Sequence, residues 1–338
     1  MFRSKLCGKR VVFRGKGLVE VENFDVREPK KDEVLIRTVS TLISPGTETA
    51  FLMALPNTSG VFPQYPGYSN AGIVERIGDE VTSVRVGDKV ASSKPHASHV
   101  IAKEDKVFTI PDAVSYDEAS FFKLGAIALQ GVRKGMIELG ESVVVIGQGL
   151  IGILALQLAK LSGGIPVIGI DLYDYRLSLS SKLGADYTIN PLREKPKDRI
   201  LELTDGKGAS VVIEATGNPE AIPVALKLAG RCGRVILLGS TRGENTVNFY
   251  RDVHTKGLHI IGAHNNIRPR YESSYGFWTI EDDSRLILKL IEKRLLKVKD
   301  LITLKMSFNE VKEAYRRLIE LKGETMGIIL DWSEASRQ

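Results

Sequence analysis

The chain has 338 residues, 43% of them hydrophobic and 26% charged, with two cysteines and a formal net charge of +6. That length suggests about two domains with room for buried cores, and the composition excludes disordered, fibrous and disulfide-stapled classes. Lysine and arginine are spread along the chain without an arginine-rich tail or an aromatic-basic strand motif, so no nucleic-acid partner is expected. No apolar run is long enough for a membrane span, and the start MFRSKLCGKR lacks the apolar segment of a signal peptide, so the expected location is the cytoplasm.

The N-terminal third contains VEVENF, VLIRTVSTLI, AGIVERIG and SHVIA, which alternate or concentrate β-branched residues and are separated by glycine and proline. This predicts a small, mainly antiparallel β domain. From about 143 to 262, short apolar runs alternate with helical patterns. Strands are expected at 143–146, 167–171, 187–190, 211–215, 235–238 and 258–261. With helices between them they form an α/β fold, a doubly wound parallel sheet of the Rossmann type. Gly184 stops one helix, and Gly230 and Gly233 mark the exit from another. A polar, aromatic stretch, AHNNIRPRYESSYGFWT, comes next, then helices near 283–294 and 309–322 whose chain can return to the first domain.

The most specific signal is VVVIGQGLIG at 143–152, followed by Asp171 at the end of the next apolar run. Four apolar residues suit a strand buried on both faces. Gly147 ends that strand in a tight turn, Gly149 lets a pyrophosphate approach the backbone, and Gly152 lets the following helix pack closely. Asp171 is placed to accept hydrogen bonds from the adenosine ribose, and its charge would repel a 2'-phosphate, so the expected cofactor is NAD rather than NADP. The residues expected around it are Gly147, Gln148, Gly149, Leu150, Ile151 and Gly152; Asp171, Leu172 and Arg176; Ala215, Thr216 and Gly217; Leu238 and Gly239; and Ala263 and His264. A bare glycine pattern also marks ordinary turns. The strand-helix context, the spacing of the acid and the repeating βα pattern favour the dinucleotide.

With the β domain ahead of the nucleotide fold, the chain resembles the medium-chain dehydrogenase/reductase family over nearly its whole length. The matching segments are PGTE at 45–48, GIVERIG at 72–78, GDKV at 87–90, the glycine fingerprint, EATG at 214–217 and GRVILLG at 233–239. The resemblance implies a GroES-like catalytic domain at 1–123, a Rossmann domain at 124–263 and a segment at 264–338 that returns to the catalytic domain. It also implies a cleft between the domains and a homodimer or homotetramer. The departures matter too. Pro45, Tyr68 with Ser69, and Lys123 stand where zinc-dependent relatives carry metal ligands, and the cysteine-rich lobe is missing between Val90 and His96. No metal is expected. The segments SPGTE, GYSN and PHA are similar to those of a zinc-lacking subgroup that looks like bacteriochlorophyllide a dehydrogenase, without a pigment substrate following from that.

Without zinc as Lewis acid, protein groups must take the hydroxyl proton. The resemblance places Tyr68, His96, Lys123 and Thr47 near the vacated metal position, and Ala50 replaces a relay histidine. A histidine titrates near 6.5, whereas a tyrosine near 10 needs a shift of about three units to act as base. His96 is therefore ranked first, with a Tyr68-Lys123 pair as the competing arrangement; each of these residues also has an ordinary reading as a packed or solvated side chain. Glu48, Asn70, Asn265, Tyr275 and Trp278 are the candidate substrate contacts, and Arg268 and Arg270 could select an anionic substrate. The leading function is zinc-independent hydride transfer between NAD and a secondary alcohol of a small polyol, sugar-like or cyclic molecule. A quinone or enoyl reductase, a redox-neutral epimerase or lyase that retains NAD, and a non-catalytic dinucleotide-binding scaffold remain as alternatives.

Overall fold

The computed structural model describes residues 6–336. Contacts divide the chain into two units, one built from residues up to 123 with 284–294 and 298 onward, the other from 124–283 and 295–297. Residues 264–283, expected to belong to the returning segment, fall in the second unit.

In the first unit β1 (Leu6–Gly15) and β2 (Leu18–Val26) form a hairpin, followed by β3 (Glu33–Leu42), α1 (Pro45–Leu52), β4 (Asn70–Ile77), β5 (Lys89–Ser92), β6 (His99–Lys103), β7 (Val107–Thr109), α2 (Tyr116–Ala119) and the start of α3 (Phe122–Gly135). Burial alternates over residues 36–40 of β3 and 72–75 of β4, as in an antiparallel sheet that buries one face of each strand more fully. Opposed residues share a face, so Thr41, Asn70 and Ser92 form one row across β3, β4 and β5.

The second unit runs β8 (Val143–Ile146), α4 (Leu150–Leu161), β9 (Val167–Ile170), α5 (Asp174–Lys182), β10 (Tyr187–Ile189), α6 (Pro196–Leu203), β11 (Ala209–Glu214), α7 (Ala221–Leu228), β12 (Ala229–Leu237), α8 (Phe249–Asp252) and β13 (His259–Gly262). Its strands are all parallel, in the order β10-β9-β8-β11-β12-β13. Every residue of β8 and β9 is buried, as a sheet covered by helices on both faces requires.

The remaining elements are α9 (Ile280–Glu292), β14 (Ile302–Ser307), α10 (Val311–Glu320) and β15 (Gly327–Asp331). In the first unit β15 pairs antiparallel with β3 and parallel with β14, giving the sheet order β14-β15-β3-β4-β5-β7 with β6 on β3. The crossover α10 is amphipathic: Val311, Ala314, Tyr315 and Leu318 are buried at helical spacing, while Glu313, Arg316, Arg317 and Glu320 pair outside. Its buried face joins Phe13, Leu52, Phe308 and Trp332 in one cluster, with Phe308 stacked on Trp332 at 4.7 Å and Phe13 edge-on to Tyr315 at 5.2 Å. Each such ring contributes about 1.5–3 kcal/mol by burial, and the packing fixes where the Tyr315 hydroxyl and Trp332 indole N–H point. No described helix is long and apolar enough to cross a membrane.

Candidate functional site

In the second unit the strand order reverses between β8 and β11, so the loops leaving these strands diverge and open a crevice at their carboxyl ends. The glycine turn lies there. Gly147 has φ of 89°, and a Cβ on it would meet the Thr216 methyl at 2.6 Å. A Cβ on Gly152 would lie 1.7 Å from the Gly147 carbonyl oxygen, so α4 packs against the turn only because this residue has no side chain. A Cβ on Gly149 meets nothing within 4 Å, and Gly149 caps α4 without a side-chain hydrogen bond. The start of this twelve-residue helix thus has no side-chain cap and has open space beside Gly149, which suits a phosphate.

The other residues expected around the cofactor gather at the same sheet edge. Ala215, Thr216 and Gly217 follow β11, Leu238 and Gly239 follow β12, and Ala263 and His264 follow β13. Leu172 and Thr216 are exposed, Ile151 and Ala215 are half-buried, and Leu150, Leu238 and Ala263 are buried. His264 accepts from the Asn266 N–H. Two of these residues also make structural contacts. The Gln148 side chain turns inward, donating to the Val145 carbonyl at 2.7 Å and accepting from the Ser180 hydroxyl at 2.9 Å, so only its backbone lies on the turn. Asp171 is buried, its two oxygens accepting from the Gln148 N–H at 2.6 Å and the Tyr173 N–H at 3.0 Å, with the Arg176 guanidinium 3.8 Å away. Its first task is to tie the glycine turn to the end of β9.

Glu214, ending β11, holds the next turn: one carboxyl oxygen accepts from the Thr216 N–H and hydroxyl and from the Gly217 N–H, while the other is buried without a partner. Burial raises this carboxyl above its ordinary value of 4.5 despite those donors. The folded chain then binds more protons than the unfolded chain, so stability falls as pH rises from about 4.5 through the raised value. Glu214→Gln removes that loss. Its melting temperature is expected to exceed that of the wild type by a few degrees at about pH 7–8, and to equal it at about pH 4, in scanning calorimetry.

In the first unit, buried polar groups converge behind Tyr68. Ser44 precedes α1, and its N–H donates to Glu48 at 2.7 Å. The other Glu48 oxygen accepts from His96 Nε2 at 2.9 Å and from the Tyr315 hydroxyl. His96 Nδ1 lies 2.7 Å from the Thr41 hydroxyl, which accepts from Trp332 Nε1 at 3.0 Å. The donors balance with the ring proton on Nε2: the indole donates to Thr41, Thr41 to Nδ1, and Nε2–H to Glu48. Tyr68, half-buried, donates its hydroxyl to Ser44 Oγ.

His96 therefore does not fit the base role ranked first from its residue type. It is fully buried just before β6 and both ring nitrogens are engaged. Glu48 and Asn70 are likewise interior groups rather than substrate contacts: Glu48 braces backbone and ring, and Asn70 Nδ2 donates to Thr38 Oγ1 at 2.9 Å. Thr47 is half-buried on α1, and Lys123 is half-buried in the first turn of α3. In the second unit Asn265 accepts from Arg268, Trp278 carries the Arg133 guanidinium 4.1 Å above its ring, and Tyr275 is fully exposed. Arg268 is buried, bonding Asp283 at 2.6 Å and three carbonyls, so it pins its loop and is unavailable to an anionic substrate; Arg270 is exposed. Sequence reasoning missed Ser44, Thr41, Tyr315 and Trp332. The only hint was Ser44 followed by an acid four residues later.

Residues 151–275 match the family described as zinc-binding dehydrogenase, and residues 30–121 match the alcohol dehydrogenase GroES-like domain. The chain is 31% identical over 287 residues to an L-threonine 3-dehydrogenase of Pyrococcus horikoshii, covering 73% of this chain and 79% of the relative. It is 26% identical over 331 residues to a D-arabitol-phosphate dehydrogenase of Enterococcus avium, covering 88% and 90%. The crystal structure of galactitol-1-phosphate dehydrogenase from Escherichia coli superposes with a TM-score of 0.83 at 21% identity, covering 96% of this chain and 99% of that one.

Proposed function

The chain belongs to the medium-chain dehydrogenase/reductase family, and from that premise we propose that it oxidises a secondary alcohol of a polyol, sugar-like or cyclic small molecule with NAD, without zinc. The observation that carries this reading is the glycine turn at the strand-order reversal, with open space at Gly149 in front of an uncapped helix N-terminus. These residues fit a dinucleotide: backbone N–H groups at the start of α4 would hold the pyrophosphate, and Asp171 just after β9 would disfavour a 2'-phosphate. The bound cofactor supplies the hydride acceptor. As in the family generally, the protein is proposed to work as a homodimer or homotetramer.

Zinc independence is supported by the donor set. Among the described residues no three His, Cys, Asp or Glu side chains come together as a metal site, whereas zinc in this chemistry takes three protein ligands and an open position. Glu48 and His96, the nearest thing to donors, bond each other. Proton handling then falls to Tyr68, which is half-buried with its hydroxyl on Ser44.

NADH formation at 340 nm against polyols, polyol phosphates, sugars, cyclic alcohols and L-threonine, with NADP as control, tests the reading. Turnover is expected with NAD and to survive dialysis against a chelator. Tyr68→Phe is expected to lower kcat by about 10²–10⁴-fold with NAD affinity unchanged. NAD binding without turnover on any alcohol, or stoichiometric zinc in the active protein, overturns it.

A further inference from the structure

Ser44 occupies the residue before the first turn of α1, where a serine ordinarily turns its hydroxyl onto the helix N–H groups and stabilises the helix by about 1 kcal/mol. Here its side chain makes no capping hydrogen bond. The hydroxyl instead accepts from Tyr68. Ser44 is also held at both backbone groups, its N–H on Glu48 Oε1 at 2.7 Å and its carbonyl on the Glu48 N–H at 2.9 Å. Glu48 is in turn fixed by His96 and Tyr315, and His96 by Thr41, whose hydroxyl accepts from Trp332 Nε1. Groups from β3, α1, α10 and the chain after β15 thus brace the backbone of Ser44, and its hydroxyl accepts from one phenol.

We propose that Ser44 is a positioning residue that sets the ionisation of Tyr68. This rests on the reading of Tyr68 as the proton-handling group. A hydroxyl both donates and accepts, so Ser44 can accept from the neutral phenol and reverse to donate to the phenolate. The second bond is charge-assisted and the stronger of the two, which favours the ionised form. A tyrosine base needs that help. The buried network has a corresponding purpose: it keeps Ser44 Oγ from following the phenol when the charge changes.

The test is a spectrophotometric titration of phenolate absorbance, recorded as wild type minus Tyr68→Phe so that Tyr68 alone is seen, and repeated as Ser44→Ala minus the Ser44→Ala/Tyr68→Phe double variant. Tyr68 is expected to titrate about one pH unit higher in Ser44→Ala, since a hydrogen bond to a charged group contributes on that scale. Ser44→Thr, which keeps the hydroxyl, restores the wild-type value. The acid limb of kcat for alcohol oxidation moves up with Ser44→Ala by the same amount, while KM for NAD stays unchanged. An unchanged Tyr68 titration in a folded Ser44→Ala protein overturns the inference. If the titration moves but Tyr68→Phe still oxidises alcohols at the wild-type rate, Ser44 acts as stated and the catalytic assignment of Tyr68 is what fails.

Discussion

Gly152→Ala is expected to abolish dinucleotide binding and to lower stability by about 3 kcal/mol or more, whereas Gly149→Ala weakens binding alone. The added carbon at residue 152 would sit 1.7 Å from the Gly147 carbonyl oxygen and 2.8 Å from its carbonyl carbon. Both are backbone atoms, so no rotamer change relieves the overlap. Either α4 backs away from β8 or the turn opens, and overpacking of this kind ordinarily costs about 1–3 kcal/mol even where side chains can yield. Gly149 is the control. Its φ of −76° suits alanine and nothing lies within 4 Å of the new carbon, so the fold should change by less than about 1 kcal/mol. That carbon occupies the space assigned to the pyrophosphate, so NADH affinity by fluorescence titration should fall about 10–100-fold, the range of one to two lost charge-assisted hydrogen bonds. Wild-type NADH affinity in Gly149→Ala would remove the pyrophosphate from this turn. A Gly152→Ala protein with unchanged melting temperature would mean the close packing is not required.

The glycine turn was legible because Gly147 and Gly152 each do a backbone job that no other residue can do, and local sequence records it. The strand expected at 143–146 coincides with β8 for a related reason: an unbroken β-branched run bounded by glycine has few other uses. The groups around Tyr68 were illegible because their partners lie far apart in sequence. Tyr315 reaches Glu48 across 267 residues and Trp332 reaches Thr41 across 291, and the helical pattern of α10 says only that Tyr315 faces inward. His96 was ranked by its titration range, which ignores that a fully buried ring with both nitrogens bonded has no atom left for a substrate. Residue type leaves Arg268 open between a substrate contact and a solvated charge, and it is neither. Its charge suggested an anionic ligand, and the fold uses it on Asp283 and neighbouring carbonyls. Residue type gave the chemistry available, and burial decided which of it remains free.

Glu48→Ala is expected to be the most destabilising single change in the first unit. It removes the acceptor of the Ser44 N–H, the His96 Nε2–H and the Tyr315 hydroxyl, all in residues with at most 4% exposure. An orphaned buried donor costs about 1–3 kcal/mol, so losing the acceptor of all three should cost at least about 3 kcal/mol, a large share of the stability of a typical domain. Glu48→Gln separates geometry from packing. The amide oxygen can keep the Ser44 N–H, and its NH₂ can donate to His96 if the ring proton moves to Nδ1 and donates to Thr41, whose hydroxyl accepts there. The cost should fall to about 1–2 kcal/mol, and Tyr315→Phe, which deletes one donor and leaves Glu48 its other partners, should cost about 1 kcal/mol. Urea unfolding checks the order Ala well above Gln, with Phe smallest; equal losses for Ala and Gln would show that the carboxylate is not replaceable as an acceptor by shape alone. The same series bears on Tyr68. Because Glu48 fixes Ser44 through its backbone rather than its hydroxyl, a folded Glu48→Gln protein should leave the Tyr68 titration where the wild type has it, and a shift there would mean the carboxylate acts on the phenol directly.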